Sequence, residues 1–552
     1  MSSAVVIEKT DEPAVFENYV VLPDCFGTGE YDDRADVRAI RETVDSALEK
    51  LDAAVRFTQK LSGNREVIIK PNLVSVYHDS GFRETDYPET TDPRVFEAVV
   101  RFVSRFTQNI TIAESSGKPM PTRVNFRTTG YDRIARYYGA SLVALEERPV
   151  TRYMLPKAEV MKEVYLPDTF ERAVRGEAFY ISVPKMKTNL YTGVTLGFKN
   201  AMGTIPYFLR ERNHSYLINK KLTDLMYLFR PDLTVIDAIV GGEGNTPAPV
   251  DPVKVGKIIA GNNSVETDRV ATVMMGFDPD SIPLMTEADT RGFGDRDVRI
   301  IGEAEVIAFR PAVSSFLDEK TQREFPNLHA LYGHTLEDSG TITDPQLVTP
   351  GDVQKLERQC TGGCLAAAKT GLDYYNFTEK PKRDFTLWIV VGSGIELDGK
   401  RWWFDSAGRA YSLEDLRKIP DRKLALGNCS RPAAEACDYF AKGCCDPAEC
   451  MAAVCRAAGV RMPIMSVKNR KLPALGLGMF RTVLIRRKLI RRGMYVDCPY
   501  SQEDRIFPIP EDAGRDADYI PWPLPEMSRD EKRRMLRDQW RILSSALLGG
   551  RK

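Results

Sequence analysis

Two groups of residues have side chains and spacings suited to chemistry. In the first group, polar segments follow short apolar runs. They are Lys70-Pro71-Asn72 after EVII, Glu114-Ser115-Ser116-Gly117 after ITIA, Pro184 to Asn189 after FYISV, and Asp237 to Gly244 at the end of LTVIDAIVGGEG. Loops at the carboxyl ends of parallel strands converge on one crevice, where ligands bind. Lys70, Lys185, Lys187 and Lys199 would bring several ammonium groups there, a set suited to carboxylate or phosphate because each is a point charge with three donors. Gly241, Gly242 and Gly244 let backbone approach a ligand closely, and Glu114, Asp237 or Glu243 can act as base or metal ligand. Lys185, Lys187, Glu114 and Asp237 are the candidate catalytic residues. Lys70, Asn72, Ser115, Ser116, Lys199, Asn200, Gly242, Glu243 and Gly244 are the candidates for binding substrate or cofactor. Neither a G-x-x-x-x-G-K-[ST] loop nor a well-placed G-x-G-x-x-G is present, so no nucleotide fingerprint supports the crevice.

The second group is the thiols. Of ten cysteines, Cys25 stands alone near the start and nine fall between Cys360 and Cys498. Ten are too few for a disulfide scaffold in 552 residues, and such crowding in a reducing compartment points to metal or redox chemistry. Asp446 can cap a helix with Pro447 at its first position. Cys444 and Cys445 then precede a helix N-terminus, where free N–H groups favour thiolate. Histidine is scarce (His78, His214, His329, His334), and no His–Cys–Asp cluster or H-E-x-x-H motif appears, which argues against triad hydrolysis and zinc-protease chemistry. His214 is a minor candidate proton donor.

The elements that must position these residues are those of an α/β protein. Between residue 19 and about residue 310, β-branched runs alternate with helical stretches, predicting an open, mainly parallel, Rossmann-like sheet with covering helices. Predicted strands are Tyr19–Leu22, Glu66–Ile69, Ile110–Ala113, Ala178–Val183, Leu233–Val240 and Lys257–Ala260; predicted helices include Arg34–Lys60 and Asp92–Arg105. The organisation expected is an α/β domain over 1–312, a connecting segment over 313–350, a smaller Cys-rich α/β domain over 351–500, and over 501–552 a Pro-rich tail with a C-terminal amphipathic helix. In the Cys-rich domain the pattern predicts a helix over Val353–Tyr375, strands at Thr386–Val391 and Lys423–Leu426, and a helix at Pro447–Ala458. Ser528 and Glu531 form a capping box for the last helix. Lys plus Arg and Asp plus Glu are 77 each, so no global field draws nucleic acid or membrane. From Cys450 to Val496, however, there are eleven Arg or Lys and no Asp or Glu. That segment can dock an acidic electron carrier, touch an anionic membrane surface, or be a solvated face balanced elsewhere. No apolar run spans a bilayer and the N-terminus lacks a signal pattern, so a cytoplasmic protein is expected.

VIIKPNLV, TTDP, IAESSG, VPKMKTN, TLGFKNAMGTIP, RPDLTVIDAIVGGEGNTP and ETDRVATVMMGFDP resemble, in order, the family catalogued as domain of unknown function 362, over about residues 19–310. Members often occur with iron–sulfur modules, so the resemblance implies an iron–sulfur-associated protein without an agreed reaction. The ferredoxin run C-x-x-C-x-x-C-x-x-x-C-P is missing here. Instead Cys360-x-x-x-Cys364, Gly427-Asn428-Cys429 and Gly443-Cys444-Cys445-Asp446-Pro447 resemble, in order and context, the cluster domain of nickel–iron hydrogenase small subunits and their complex I counterpart. The first proline of that family's G-C-P-P segment is absent, and the first cysteine pair is spaced differently. Cys360, Cys364, Cys429 and Cys445 are the expected ligands of a 4Fe–4S cluster, with Cys444 the rival for the fourth place and zinc the alternative metal. Cys25, Cys437, Cys450 and Cys455 suit buried apolar positions. The expected function is an iron–sulfur oxidoreductase acting on a small anionic substrate or cofactor. The alternatives are a non-redox isomerase or lyase with a structural metal, and an accessory protein for cofactor or cluster delivery.

Overall fold

A computed structural model of the chain describes residues 3–17, 21–63, 65–74, 89–117, 121–210, 217–246, 251–334, 342–360, 363–376, 382–441, 447–460, 472–496 and 516–548. The strands, in chain order, begin with β1 Ser3–Lys9, β2 Val67–Pro71, β3 Ile110–Glu114, β4 Ser141–Ala144, β5 Val150–Met154 and β6 Glu163–Pro167. Next come β7 Phe179–Val183, β8 Lys185–Asn189, β9 Gly193–Thr195, β10 Leu233–Glu243, β11 Asp251–Gly261 and β12 Val298–Ile301. The second unit adds β13 Leu328–Tyr332, β14 Leu387–Val391, β15 Ile395–Leu397, β16 Lys400–Phe404, β17 Ala410–Ser412, β18 Arg422–Leu426 and β19 Tyr439–Ala441, and β20 Ile520–Trp522 follows.

The protein is α/β. Its large sheet runs β12-β1-β11-β10-β7-β2-β3-β4, with β8 and β9 attached beside β10. Strands β10, β7, β2, β3 and β4 are mutually parallel, as are β1 and β12, while β11 is antiparallel to both β1 and β10. Both faces are covered. Val5, Ile7 and Ile68 join one apolar cluster, and Val6, Val67 and Ile69 join the other, together with Val44 and Leu48 of helix Ala35–Val55 and Phe96 and Val99 of helix Pro93–Ser104. Burial on two sides is why these strands read as continuous apolar runs rather than alternating ones.

Two sequence expectations are corrected. Tyr19–Leu22 does not supply the first strand: 18–20 lie outside the described residues, and Val21 and Leu22 are irregular. The Leu22 N–H donates to the Thr129 carbonyl, and Pro23 follows with no N–H to offer. The first strand is Ser3–Lys9, near the chain start but inside the sheet between β11 and β12. The single helix expected over Val353–Tyr375 is two, Pro350–Gln359 and Cys364–Asn376. Cys360 ends the first, and Gly363 immediately precedes the second.

In the second sheet, ordered β15-β16-β13-β14-β18-β19, the four strands β13, β14, β18 and β19 are parallel. Strand β13 comes from within 313–350, the stretch whose sequence predicts a connector. The C-terminal segment returns to the first unit, where β20 pairs antiparallel with β5 and Ile520 faces Met154. Ser528 and Glu531 form the expected reciprocal cap, and the helix they start, Arg529–Leu548, packs on helix Leu472–Arg491 through Phe480 and Trp540, whose rings are 5.9 Å apart. No described helix is long and apolar enough to cross a membrane.

Helix Cys364–Asn376 crosses helix Pro447–Ala458 at Gly371, where an added Cβ would sit 2.9 Å from Met451 Cγ and 3.1 Å from its Cα. Gly371→Ala is therefore expected to destabilise the protein by about 1–3 kcal/mol in chemical denaturation, despite the better helix propensity of alanine. Gly351→Ala, on an exposed helix position with no contact closer than 3.6 Å, is expected to be neutral or slightly stabilising.

Candidate functional site

The carboxyl ends of β2, β3 and β7 meet in a buried polar network. Lys70, one residue from the end of β2, donates to Glu114 Oε2 at 2.8 Å, to Asn200 Oδ1 at 2.9 Å and to the Pro71 carbonyl at 3.0 Å. Glu114 ends β3, and both charged side chains are almost fully buried. Burial pushes the Lys70 ammonium down and the Glu114 carboxyl up, and each partner opposes the other's shift. Beneath them is Gly203, where a Cβ would lie 2.5 Å from Glu114 Oε1 and 2.6 Å from Lys70 Nζ, so a side chain there would displace the pair.

Asn200 is the hub. Besides accepting from Lys70, its Nδ2 donates to Ser182 Oγ at 2.9 Å, near the end of β7. It sits on the short helix Gly197–Asn200, whose first two N–H groups donate to the buried carboxylate of Asp268 at 2.8 and 2.7 Å. Burial pushes the Asp268 carboxyl up to about 8, against these two donors. At Gly197 a Cβ would come within 2.4 Å of Thr234 Cγ2, so glycine there lets the helix lie directly on β10. These contacts fix Lys199 and Asn200 relative to the sheet.

A second buried pair lies one strand over. Lys185 donates to Asp237 Oδ2 at 3.0 Å, both fully buried, and the same oxygen accepts the Asp92 N–H at 2.7 Å. Thr91 next to it takes the Asn72 N–H on its hydroxyl oxygen and donates to the Val183 carbonyl, tying the ends of β2 and β7. The TTDP segment is thus a clasp between strand ends. Lys187 donates to the Glu89 carbonyl at 2.5 Å, and burial pushes its ammonium down to about 8, with Glu89 opposing.

Lys199 differs from the other lysines. It is half-buried 6.0 Å from the Tyr191 ring, and no described carboxylate lies within ion-pair distance. Burial pushes its ammonium down to about 7, and the cations Lys187, Arg210 and Lys70 add to the effect. In the same network, next to Asn200 and Arg210, the buried Asn72 Oδ1 and Ser116 Oγ have no hydrogen-bond partner among the described residues. Ser115 holds the loop in place: its N–H donates to Glu114 Oε1 at 2.8 Å, and its Oγ accepts the Tyr207 N–H at 2.9 Å.

The structure therefore brings together Lys70, Asn72, Glu114, Ser115, Ser116, Lys185, Lys187, Lys199, Asn200 and Asp237. It turns Glu243 elsewhere, because both its oxygens accept from Arg310, at 2.8 and 2.6 Å. Gly242 pairs with Lys187 across β10 and β8, and Gly244, at φ 89°, gives its carbonyl to Thr188 Oγ1. Sequence reasoning missed Arg210, which donates to the Ser115 and Ser116 carbonyls at 2.5 and 3.0 Å, and Asp268, although both fall in or just after segments singled out for resemblance. His214 and His78 lie outside the described residues.

In the second sheet two thiols lie near the carboxyl end of β13, Cys429 beside His334 and Cys360 close to Tyr332. Helices Pro350–Gln359 and Cys364–Asn376 form the crossover from β13 to the parallel strand β14, with Cys360 between them, and Cys429 follows β18 after Gly427 and Asn428. Gly363 leaves room beside Cys360, since a Cβ there would be 3.1 Å from its Sγ. Cys360 and Cys364 are buried and Cys429 is half-buried. Cys444 and Cys445 lie outside the described residues, and among those described no three His, Cys, Asp or Glu converge at metal-holding distance. Spacing also hid His334, whose Nε2 is 3.9 Å from Cys429 Sγ. Cys437 and Cys455 are thiols that burial pushes up to about 12, in keeping with apolar packing roles.

Residues 67–273 match the family profile described as domain of unknown function (DUF362). The match holds the whole lysine network and stops short of the cysteines. Among curated proteins, the "Thylakoid-associated protein sll1697" of Synechocystis sp. (strain ATCC 27184 / PCC 6803 / Kazusa) is 29% identical over 118 residues, 20% of this chain and 37% of that protein. The aligned region thus spans little more than a third of the relative's length.

Lys70→Met leaves Glu114 buried without its ion-pair partner, and a loss of about 3–5 kcal/mol in chemical denaturation is expected. Lys70→Met combined with Glu114→Gln is expected to recover most of that loss. A double variant no better than the single one would mean that the pair is not coupled.

Proposed function

We propose that this protein is an iron–sulfur oxidoreductase that binds a small anionic substrate or cofactor among the strand-end lysines of its first unit. The observation that carries the anion-binding part of the reading is Lys199: an ammonium pushed down to about 7, amid three other cations and with no described carboxylate partner, while Ser116 Oγ in the same network is a buried hydroxyl without a partner among the described residues. Such a site is incomplete until an anion enters. A carboxylate or phosphate would stabilise the charged form of Lys199 and accept from Lys187 and Ser116. Lys70 and Lys185 are held by Glu114 and Asp237, so they orient the walls and contribute field rather than direct capture.

Cys360, Cys364 and Cys429, with Cys445 as the fourth ligand, would hold a 4Fe–4S cluster, which when bound supplies one-electron transfer. Support comes from Cys360 and Cys429 lying near the end of β13, the space that Gly363 leaves beside Cys360, and the resemblance of the cysteine order to hydrogenase-type cluster domains. Reduction of an anion consumes protons as well as electrons. Lys199 and Lys187, titrating near 7 and 8, hold exchangeable protons at Nζ at neutral pH. The same titration favours a second reading, in which neutral Lys199 acts as base in an isomerase or lyase and the metal is structural.

Protein purified without oxygen is expected to contain about four irons and four acid-labile sulfides per chain, lost on Cys429→Ser. Once reduced with dithionite, it is expected to be reoxidised by a member of a panel of small carboxylates and phosphate esters that carry a reducible carbonyl or conjugated double bond, which takes up the electrons, at least about tenfold more slowly in Lys199→Met. Zinc or no metal in place of iron would overturn the redox assignment. Turnover that survives Cys429→Ser would favour the isomerase or lyase.

A further inference from the structure

We propose that the outward face of helix Leu472–Arg491 is a docking surface for an anionic lipid bilayer. This inference is independent of the redox reading. Positions along the helix advance by about 100° per residue, so Leu477, Phe480, Arg481, Leu484, Lys488 and Arg491 fall on one stripe. Every one of these six is exposed, whereas Leu475, Met479, Thr482, Val483, Arg486, Leu489 and Ile490 on the opposite side are buried.

The buried side is fixed to the body. At Gly478 a Cβ would come within 2.6 Å of Val124 Cγ2 and 3.2 Å of Pro121, so glycine lets the helix lie against that segment. The Thr482 hydroxyl donates to Glu147 Oε1, and beyond the helix end the Met494 carbonyl accepts the Val150 N–H at 3.0 Å. The Arg486 guanidinium is buried 4.8 Å from the Tyr495 ring. The helix is thus a fixed ridge with one face directed outward.

That face carries an unusual load. Leu477 is 71% exposed, Phe480 43%, Leu484 44% and Trp540 of the adjoining helix 38%. Phe480 and Trp540 are in ring contact, joining the two helices into one apolar patch. Around it stand the exposed cations Arg481, Lys488, Arg491 and Arg492, with Arg533, Arg534 and Arg537 on the second helix. From Cys450 to Val496 no acidic residue offsets them. Of the three acidic residues on the second helix, Glu531 is engaged in the Ser528 cap, Asp530 pairs with Arg533, and Asp538 is half-buried with interactions of its own.

Exposed Leu, Phe and Trp costs free energy in water unless something covers them, and isolated contiguous apolar patches mark interaction sites. An exposed stripe of Leu and Phe, continued by Trp540 and flanked by Arg and Lys, matches the interfacial region of a bilayer. There, aromatic and Leu side chains enter the headgroup boundary while cations remain with anionic headgroups. Because no described helix can span a bilayer, the contact is peripheral.

The test is flotation of the full-length protein with phosphatidylcholine vesicles, with and without phosphatidylglycerol. Binding to the mixed vesicles and little to phosphatidylcholine alone is expected. Replacing Lys488, Arg491 and Arg492 by Gln should weaken binding about a hundredfold, and Leu477→Glu with Phe480→Glu should abolish it. Both variants should keep the parent's thermal midpoint, because the altered side chains are exposed. Failure to float with mixed vesicles overturns the proposal, as does equal binding to both vesicle types. A concentration-dependent dimer in gel filtration that Leu477→Glu with Phe480→Glu dissolves would assign the face to self-association instead. Loss of binding to an acidic protein carrier, with vesicle binding unchanged in the variants, would assign it to that carrier.

Discussion

Removing ammonium groups from water is the constraint on which the first unit is organised. Three lysines, one near the end of β2 and two in β8, are almost fully buried, and a buried charge is tolerated only where geometry supplies an opposite charge or well-aimed acceptors. Lys70 has Glu114 and Asn200, Lys185 has Asp237, and Lys187 has the Glu89 carbonyl. The surrounding architecture follows from that need. Glycine at 203 makes room beneath the first pair, Thr91 and Asp92 tie the strand ends together, and Asp268 holds the helix that carries the hub. Lys199 is the place where compensation stops, and the chemistry argued for the site begins there.

Both units follow the same rule at different sheets. Their central strands are parallel, so the chain leaves each strand at one edge and the side chains of the following turns gather there. In the first sheet those turns deliver cations and amides; in the second they deliver thiols and a histidine. Helix Pro447–Ala458 joins the two halves: Gly371 admits it against Cys364–Asn376, and its Met451 packs into the apolar cluster that lines the first sheet. The last two helices and β20 fasten the chain end to the first unit, so the basic ridge is held rigid on the body rather than trailing from it.

Much of this was legible in the sequence because burial leaves a direct trace. Continuous apolar runs such as ITIA and FYISV announce strands covered on both faces, and polar residues immediately after them announce the edge where they meet. Asp92 before Pro93 marked a helix start that the structure reproduces, with the Asp92 side chain accepting the Arg94 N–H. What remained hidden depends on partners distant in sequence. Ser3–Lys9 resembles a loose terminus until β11 and β12 enclose it, and Leu328–Tyr332 carries a histidine that interrupts an otherwise apolar strand. Arg210 and Asp268 bind backbone groups, contacts that leave no periodicity to read. The pairing of Cys429 with His334 bridges 95 residues and had no local signal at all.

The central claim is that the strand-end cations are under-compensated until an anion arrives, and the titration of Lys199 tests it most directly. Its ammonium, near 7 in the free protein, is charged below that pH and neutral above it, so affinity for an anion must fall as pH rises through about 7. By linkage, a bound anion must raise the titration point. NMR of carbon-13-labelled lysine side chains, with and without sulfate, reads both effects, and sulfate itself does not titrate in this range. The account predicts one lysine resonance titrating near 7, absent in Lys199→Arg and shifted to higher pH by sulfate. A Lys199 resonance titrating with the ordinary lysines near 10.4, or one that sulfate leaves unmoved, would contradict it.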